Sequence, residues 1–134
     1  MANLTMIEGI GEAYAAKLAA AGLTSTDQLL ESGKTKAGRV TVAEQSGISE
    51  TLILTWVNHC DLYRLDGAGE EYIDLLEAAG VDSVPELAQR NAENLYQKLV
   101  ETNAAQARVR KLPTAALVAQ WVEQAKTLPR VVTH

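Results

Sequence analysis

The chain repeats part of its own sequence, and this internal repeat constrains the fold more than any other feature. Residues 7–14 (IEGIGEAY) are echoed by residues 65–72 (LDGAGEEY). A second echo relates residues 52–60 to residues 117–125. The second pair of segments is more widely separated than the first, which places seven extra residues in the second copy, within residues 96–114. Such self-similarity is typical of one supersecondary unit used twice.

The regular patterns along the chain are helical. Gly22 and Gly80 are each followed by an apolar residue, as at a helix that ends in a left-handed glycine. Ser25 and Ser83 then begin capping-box sequences, which start the next helix. The last helix of each half carries an apolar stripe at helical spacing: Leu52, Ile53, Trp56, Val57 and Cys60, and Leu117, Val118, Trp121, Val122 and Ala125. Alternating polar and apolar strand patterns do not occur, so we predict an all-α fold.

The repeat also predicts the domain organisation. We expect a first repeat over residues 1–61, a second over residues 62–128, and a flexible tail over residues 129–134. The junction at residues 61–64 lacks a Gly, Ser or Pro linker, so the two repeats should pack into one compact helical domain. A chain of 134 residues buries enough surface to fold without disulfides or a structural metal.

Composition limits the compartment and the partners. One cysteine excludes an internal disulfide framework and favours a reducing compartment. The longest uncharged run, residues 112–122, is well short of the roughly 20 residues of a membrane span. We therefore expect a cytoplasmic protein with no membrane partner. Twelve Lys and Arg against seventeen Asp and Glu give a net charge of −5, so binding to a polyanion would depend on local geometry.

The repeated segment contains a short turn of the form apolar–x–Gly–apolar–Gly, which is typical of a helix-hairpin-helix motif. Two glycines allow a tight turn without side chains, and the following helix presents unpaired N–H groups and the positive end of its dipole. Such a turn forms a small cradle for an anion, for example a phosphate of a DNA duplex. The candidate donors are the main-chain amides of Gly9, Ile10, Gly11, Gly67, Ala68 and Gly69.

Several segments resemble a family of uncharacterised bacterial proteins with tandem helix-hairpin-helix motifs, known only as a domain of unknown function. The similarity covers most of the chain and is clearest in residues 7–11, 55–58, 65–72, 79–81, 87–91 and 121–126. The resemblance implies an all-helical fold of two tandem helix-hairpin-helix repeats and no established activity. The broader motif occurs in DNA repair and recombination proteins and in flap-nuclease-like modules. That wider similarity implies sequence-independent DNA binding.

The charges around the two turns allow two interpretations. Helix-hairpin-helix proteins that bind DNA usually place Lys or Arg near the turn, whereas this chain places carboxylates there: Glu8, Glu12, Asp66, Glu70 and Glu71. These carboxylates either stabilise the helix N-termini or repel an approaching phosphate. The opposing cations are Lys17, Arg64, Lys34, Lys36, Arg39, Arg108, Arg110 and Lys111. They either form a track for phosphates or only solvate long loops.

Comparison of the two halves argues against a catalytic site. His59, Cys60 and Asp61 adjoin in sequence, but the second copy has Gln, Ala and Lys at those positions. Cys60 also lies on the apolar stripe, where a buried thiol serves as a small apolar group. With His134 as the other histidine, zinc-ligand spacing is absent, as are catalytic-triad, phosphate-loop and dinucleotide patterns. We therefore predict no enzyme activity, no metal and no cofactor.

The aromatic residues are also assigned to the core. Trp56 and Trp121 occupy equivalent positions on the apolar stripes, which favours packing over base stacking. Tyr14 and Tyr72 should place their rings behind each turn. Too few aromatic residues remain to form a stacking groove for single strands.

Two functions follow. The first is a non-catalytic module that binds double-stranded DNA weakly, salt-sensitively and without sequence preference. The expected contacts are the amides of Gly9, Ile10, Gly11, Gly67, Ala68 and Gly69, with Lys17, Arg64, Lys34, Lys36 and Arg39. The alternative is a protein-interaction or adaptor domain without nucleic-acid function. It is motivated by the acidic charge and by the alanine-rich residues 15–21, which would allow close approach of a partner protein or a second copy.

Overall fold

The protein is described by a computed structural model that covers residues 3–7 and 9–133. Predictions made for Glu8 and His134 lie outside these residues. The described residues form a short 3-10 helix, Leu4–Met6, and eight α-helices, with no β-strand. The helices are α1 (Glu12–Ala20), α2 (Thr26–Gly33), α3 (Lys36–Ser46), α4 (Glu50–Leu62), α5 (Glu70–Ala78), α6 (Val84–Ala88), α7 (Ala92–Gln106) and α8 (Ala115–Thr127). The all-α prediction is confirmed for this part of the chain.

The ends of α1 and α5 follow the predicted pattern. Gly22 and Gly80 are left-handed, with φ of +87° and +98°. The amide of Leu23 donates to the Leu18 carbonyl at 2.9 Å, and the amide of Val81 donates to the Leu76 carbonyl at 2.9 Å. These bonds close the helix C-termini in the manner of a left-handed glycine cap.

The starts of α2 and α6 are capped as predicted, but the reciprocal half of each capping box is absent. The Ser25 and Ser83 hydroxyls accept from the amides of Gln28 and Glu86, at 3.2 and 3.3 Å. The Gln28 side chain bonds the Thr24 amide instead of that of Ser25. The Glu86 carboxylate pairs with the Arg90 side chain at 2.7 Å, because a nearby guanidinium offers it a charge-assisted bond.

The chain divides into two compact units. The first comprises Met1–Asp61 and Arg130–His134, and the second comprises Leu62–Pro129. The apolar stripes of α4 and α8 form part of the respective cores. The stripe residues Ile53, Trp56, Val57, Cys60, Val118, Trp121, Val122 and Ala125 are buried, while Leu52 and Leu117 are partly buried.

The C-terminal segment packs on the first unit. Val132 is 3% exposed and belongs to the core of that unit. The Thr133 amide donates to the Lys34 carbonyl at 2.8 Å. These contacts differ from the flexible tail expected over residues 129–134, because burial of an apolar side chain and main-chain hydrogen bonds hold residues 132 and 133 in place.

Candidate functional site

The glycine turn of the first unit lies between the 3-10 helix and α1. Gly9 has φ +92°, a left-handed conformation that strains residues with a side chain. Gly11 is the N-cap of α1, with an extended backbone at φ −89° and ψ −173°. Both glycines are exposed, whereas the Ile10 side chain between them is 3% exposed. The turn therefore anchors one apolar side chain in the core and presents glycine backbone to solvent.

The second unit contains a turn with the same local geometry. Gly67 has φ +77°, and Gly69 is the N-cap of α5 with φ −77° and ψ 178°. Ala68 is 6% exposed and takes the place of Ile10 as the buried anchor. The two glycines are again exposed. The matching conformations arise because a left-handed glycine followed by an apolar residue and an N-cap glycine favours the same turn in each half.

The two central amides of these turns are not available to a ligand. The Ile10 amide donates to the Ile7 carbonyl at 3.0 Å, and the Ala68 amide donates to the Leu65 carbonyl at 3.4 Å. The predicted donor set is therefore too large, because the turns close through these internal bonds. The exposed glycine amides and the first-turn amides of α1 and α5 remain as candidate donors.

The starts of α1 and α5 differ from those of the other helices. Within residues 3–7 and 9–133, no side chain accepts a hydrogen bond from the first-turn amides of α1 or α5. The six other α-helices each have a capping side chain on a first-turn amide: Ser25, Thr35, Ser49, Ser83, Asn91 and Thr114. The two helices that follow the glycine turns thus keep their first N–H groups without a side-chain acceptor among the described residues.

The carboxylates near the turns lie close to these helix starts without capping them. Glu12 is in the first turn of α1, and Glu70 and Glu71 are in the first turn of α5. All three side chains are exposed, as is Asp66. Their charges interact favourably with the positive ends of the helix dipoles. They also give each turn an acidic rim, which opposes an incoming anion.

Two side chains of α8 form hydrogen bonds with the main chain of the second turn. Trp121 Nε1 donates to the Asp66 carbonyl at 3.0 Å, and Gln124 Oε1 accepts from the Asp66 amide at 2.9 Å. The Tyr72 ring packs on Trp121 with ring centroids 5.6 Å apart. The core role predicted for this tryptophan is confirmed, but its hydrogen bond to the turn was missed. The occurrence of a tryptophan at the same place in both copies was the one sequence signal for this contact. It does not reveal the bond itself, because Trp121 and Asp66 are 55 residues apart in the chain.

The first turn lies against the equivalent tryptophan. A Cβ atom on Gly9 would lie 3.5 Å from Trp56 Nε1, so the indole nitrogen approaches the turn backbone closely. The rings of Tyr14 and Trp56 meet edge to face with centroids 5.1 Å apart. Lys17 lies over the Tyr14 ring, with Nζ 5.7 Å from its centroid. Tyr14 therefore lies behind the turn as predicted, and Trp56, predicted only to pack in the core, also approaches the turn backbone.

The predicted cations have different environments. Lys34 pairs with Glu31 at 2.8 Å, while Lys36 and Lys17 are exposed. Arg39 is only 4% exposed, and its two terminal nitrogens donate to the Gly33 and Thr133 carbonyls at 2.9 and 2.7 Å. Arg64 is half-buried and donates to the Pro129 carbonyl at 2.9 Å.

Arg39 consequently differs from the surface contact that the sequence predicts. A guanidinium bonded to two backbone carbonyls in the core stabilises the turn between α2 and α3 instead of facing solvent. Its position in a basic stretch of sequence gave no sign of this burial, since one acceptor lies 94 residues away in the chain.

The side chain of Cys60 is buried, and its thiol is difficult to deprotonate. Burial and the nearby carboxylates of Asp27 and Asp61 raise the pKa of the Cys60 thiol from 9.0 to about 12. The thiol is therefore neutral at physiological pH, which makes it a poor nucleophile and metal ligand. The described residues contain no group of three or more His, Cys, Asp or Glu side chains placed to hold a metal ion.

Comparison with known proteins gives a family without an assigned function. Residues 8–128 match the family described as "Domain of unknown function (DUF4332)". Neither the curated proteins nor the solved structures contain a match to this chain. In the part of the chain that the structure describes, no helix combines the length and apolar character needed to cross a membrane. Because the match spans most of the chain, the protein belongs to this DUF4332 family.

Proposed function

We propose that the two units are copies of a helix-hairpin-helix repeat and that the protein is a non-catalytic module that binds double-stranded DNA without sequence preference. One observation carries the proposal. The two helices that begin at a glycine turn lack a capping side chain among the described residues, whereas every other described α-helix has one. The chain thus leaves N–H donors without a side-chain acceptor in its described part at the two turns, where both glycines are exposed.

A phosphate oxygen is a suitable acceptor for these donors. The first-turn amides point along the helix axis, and the helix dipole adds partial positive charge at the same place. The two glycines of each turn carry no side chain that would hinder approach of a sugar-phosphate backbone. Because phosphates are common to all sequences, contacts of this kind position a duplex without reading its bases.

Charge makes the proposed binding weak. The carboxylates at the first turn (Glu12) and at the second turn (Asp66, Glu70 and Glu71) repel phosphates, and the chain as a whole has a charge of −5. Lys17 and Lys36 are exposed and supply part of the compensating charge, with Arg64 and Lys34 contributing less because each already has a partner. Arg39 is left out of the proposed surface because its side chain is buried. We expect affinity to fall steeply between about 50 and about 200 mM salt.

Substitutions at the N-cap glycines test the proposal directly. Proline removes the amide hydrogen and holds φ at about −65°. The φ of Gly69 is −77°, so proline fits this backbone. Alanine at the same position keeps the hydrogen, and its Cβ meets no atom within 4 Å. We expect Gly69→Pro to weaken duplex binding in fluorescence anisotropy and Gly69→Ala to leave it nearly unchanged, with unchanged circular dichroism for both. The same pair at Gly11 tests the first turn.

Two results would contradict the proposal. One is undetectable binding of the unaltered protein to duplexes of different sequence at low salt. The other is equal affinity of the proline and alanine variants at both turns, since this would mean that the N-cap glycine amides make no contact with the duplex.

A second candidate is a protein-interaction domain. It is favoured by the outer face of α1, where Ala13, Ala16 and Ala20 are exposed at helical spacing and would let another helix approach closely. We expect Ala16→Glu to abolish any self-association or partner binding of this face. Analytical ultracentrifugation measures the first effect, and a monomer at all concentrations argues against self-association.

A further inference from the structure

The connection between α7 and α8 contains a cationic loop, residues 107–111, that is separate from the glycine turns. It begins at Ala107, which caps the C-terminus of α7 in a left-handed conformation with φ +51° and ψ +48°. Among the described residues, no other non-glycine residue has a positive φ. The loop lies in the stretch where the second copy of the repeat is longer than the first.

Side chains on both sides hold this loop in place. Asn103 bonds both main-chain groups of Val109, accepting from its amide at 2.8 Å and donating to its carbonyl at 3.1 Å. The Val109 side chain is buried in the core of the second unit. Arg108 Nη1 contacts both carboxylate oxygens of Asp74 at 3.2 and 3.3 Å. The contacts that order the loop therefore involve Arg108 and Val109, and not the side chains of its last two residues.

Those two residues are Arg110 and Lys111, and both are exposed. Neither has an ion pair or side-chain hydrogen bond with any residue that the structure describes. By contrast, Lys34, Arg90, Arg108 and Lys126 each pair with a carboxylate. A protein with an excess of five negative charges thus keeps two adjacent cations unneutralised on a fixed backbone.

We propose that Arg110 and Lys111 form a preformed phosphate-binding site in the second unit, and that its ligand is the backbone of duplex DNA. The choice of ligand rests on the function proposed above. Arg offers paired donors to phosphate oxygens, and the adjacent Lys offers a compact second charge. Because Asn103 and Val109 already order the loop, little conformational entropy is lost when a ligand binds.

Removal of the two charges tests the site. Each phosphate contact contributes about −1 to the slope of log affinity against log salt concentration, so Arg110→Gln with Lys111→Gln should make that slope less negative by about two. The matched control is Lys98→Gln with Lys126→Gln, which removes two exposed cations of the same unit and should leave the slope nearly unchanged. An equal slope for the loop variant and the unaltered protein would overturn the inference.

Loosening the loop without removing charge tests preorganisation. Asn103→Ala deletes both bonds to Val109 and keeps Arg110 and Lys111. We expect several-fold weaker duplex binding with little change of the salt slope, because the same contacts form at a greater entropic cost. Unchanged affinity, with increased hydrogen exchange at Val109 confirming a loosened loop, would contradict preorganisation.

A second ligand separates this inference from the proposed function. Inorganic tripolyphosphate carries the same phosphate chemistry without a duplex, and NMR reports binding at the amides of Arg110 and Lys111. Shifts there with tripolyphosphate but no duplex binding would support the phosphate site and overturn DNA as its ligand, together with the proposed function. Duplex binding that shifts only the glycine turns would overturn the loop site and leave the proposed function intact. No shift of the loop amides with either ligand would overturn the inference.

Discussion

At the scale of single residues, the backbone turns left-handed almost entirely at glycine. Gly9, Gly22, Gly67 and Gly80 all have positive φ, and their places in the repeat predicted a turn or helix end. Ala107 was not predicted, because the sequence around it contains no turn residue. Its conformation is imposed by the bonds between Asn103 and Val109. Glycine positions therefore predict the unstrained turns, whereas the strained one depends on a side-chain contact that the sequence analysis did not identify.

Replacement of Ala107 by glycine should stabilise the protein. A left-handed conformation costs a residue with a side chain about 1–2 kcal/mol, and the greater freedom of glycine in the unfolded chain offsets part of that relief. We expect the free energy of unfolding to rise by roughly 0.5–1 kcal/mol in urea denaturation. Ala105→Gly, within α7, is the matched control and should lower it by a similar amount. Destabilisation by both variants would contradict strain at Ala107.

The buried thiol makes stability depend on pH in the alkaline range. The pKa of Cys60 is about 12 in the folded protein against 9.0 as the reference value. Above about pH 9 the unfolded state releases a proton that the folded state retains. The contribution of this group is therefore fully present below pH 9 and declines as pH rises toward 12.

We expect Cys60→Ala to remove this part of the alkaline loss of stability, measured by urea denaturation at several pH values. Alanine is the residue at the equivalent position of the second copy, so the variant should fold. Slow reaction of the native thiol with an alkylating reagent at pH 8 checks the same property. Rapid alkylation of the folded protein would contradict the raised pKa.

At the scale of elements, the helices begin in two ways: some have a side-chain cap that stabilises the helix, and the two that follow the glycine turns have none among the described residues and carry the proposed function. Ser25, Ser83 and Thr114 bond first-turn amides and so stabilise α2, α6 and α8. The serine caps were predicted from sequence, because each serine and the amide that donates to its hydroxyl are only three residues apart. The glycine starts of α1 and α5 lack such a cap, and their carboxylates act on the helix dipole through charge alone.

The carboxylates on α5 should affect stability and binding in opposite directions. Glu70→Gln with Glu71→Gln removes charges that favour the helix dipole, so each change should lower stability by about 0.3–1 kcal/mol. The same change removes repulsion at the turn and should strengthen duplex binding at low salt.

Glu93→Gln is the matched control, since Glu93 occupies the first turn of α7, where Asn91 already caps the helix. It should reduce stability by a similar amount without changing duplex affinity in fluorescence anisotropy. Equal affinities for the α5 variant and the control would argue against phosphate contact at the second turn.

At the scale of the whole molecule, the first unit is discontinuous in sequence. It combines Met1–Asp61 with Arg130–His134, so the second unit lies between its two segments in the chain. Val132 completes the core of the first unit, and Thr133 supplies an acceptor to the buried Arg39. The first segment of this unit ends at Asp61, and the sequence analysis did not anticipate that residues 130–134 belong to the same unit.

Truncation of Val132 should destabilise the protein. Val132→Ala removes two buried methyl groups, and at about 0.8 kcal/mol for each group the expected loss is roughly 1.5 kcal/mol. Val131→Ala is the matched control, because that neighbour is only half-buried and should cost less. The free energy of unfolding in urea measures both. Equal small losses would mean that the C-terminal segment contributes little to the first unit.

The sequence by itself determined the helical class, the left-handed conformation of Gly22 and Gly80, and the apolar stripes of α4 and α8. These features depend on residues within a few positions of each other, so a local pattern contains them. The sequence analysis missed that the Ile10 and Ala68 amides are occupied, although these bonds are local and close each turn. Tertiary structure decided that Arg39 is buried and that Trp121 holds the second turn. The Arg39 and Trp121 contacts join residues 94 and 55 positions apart, and a hydrogen bond across that distance depends on the packed core that brings its two partners together.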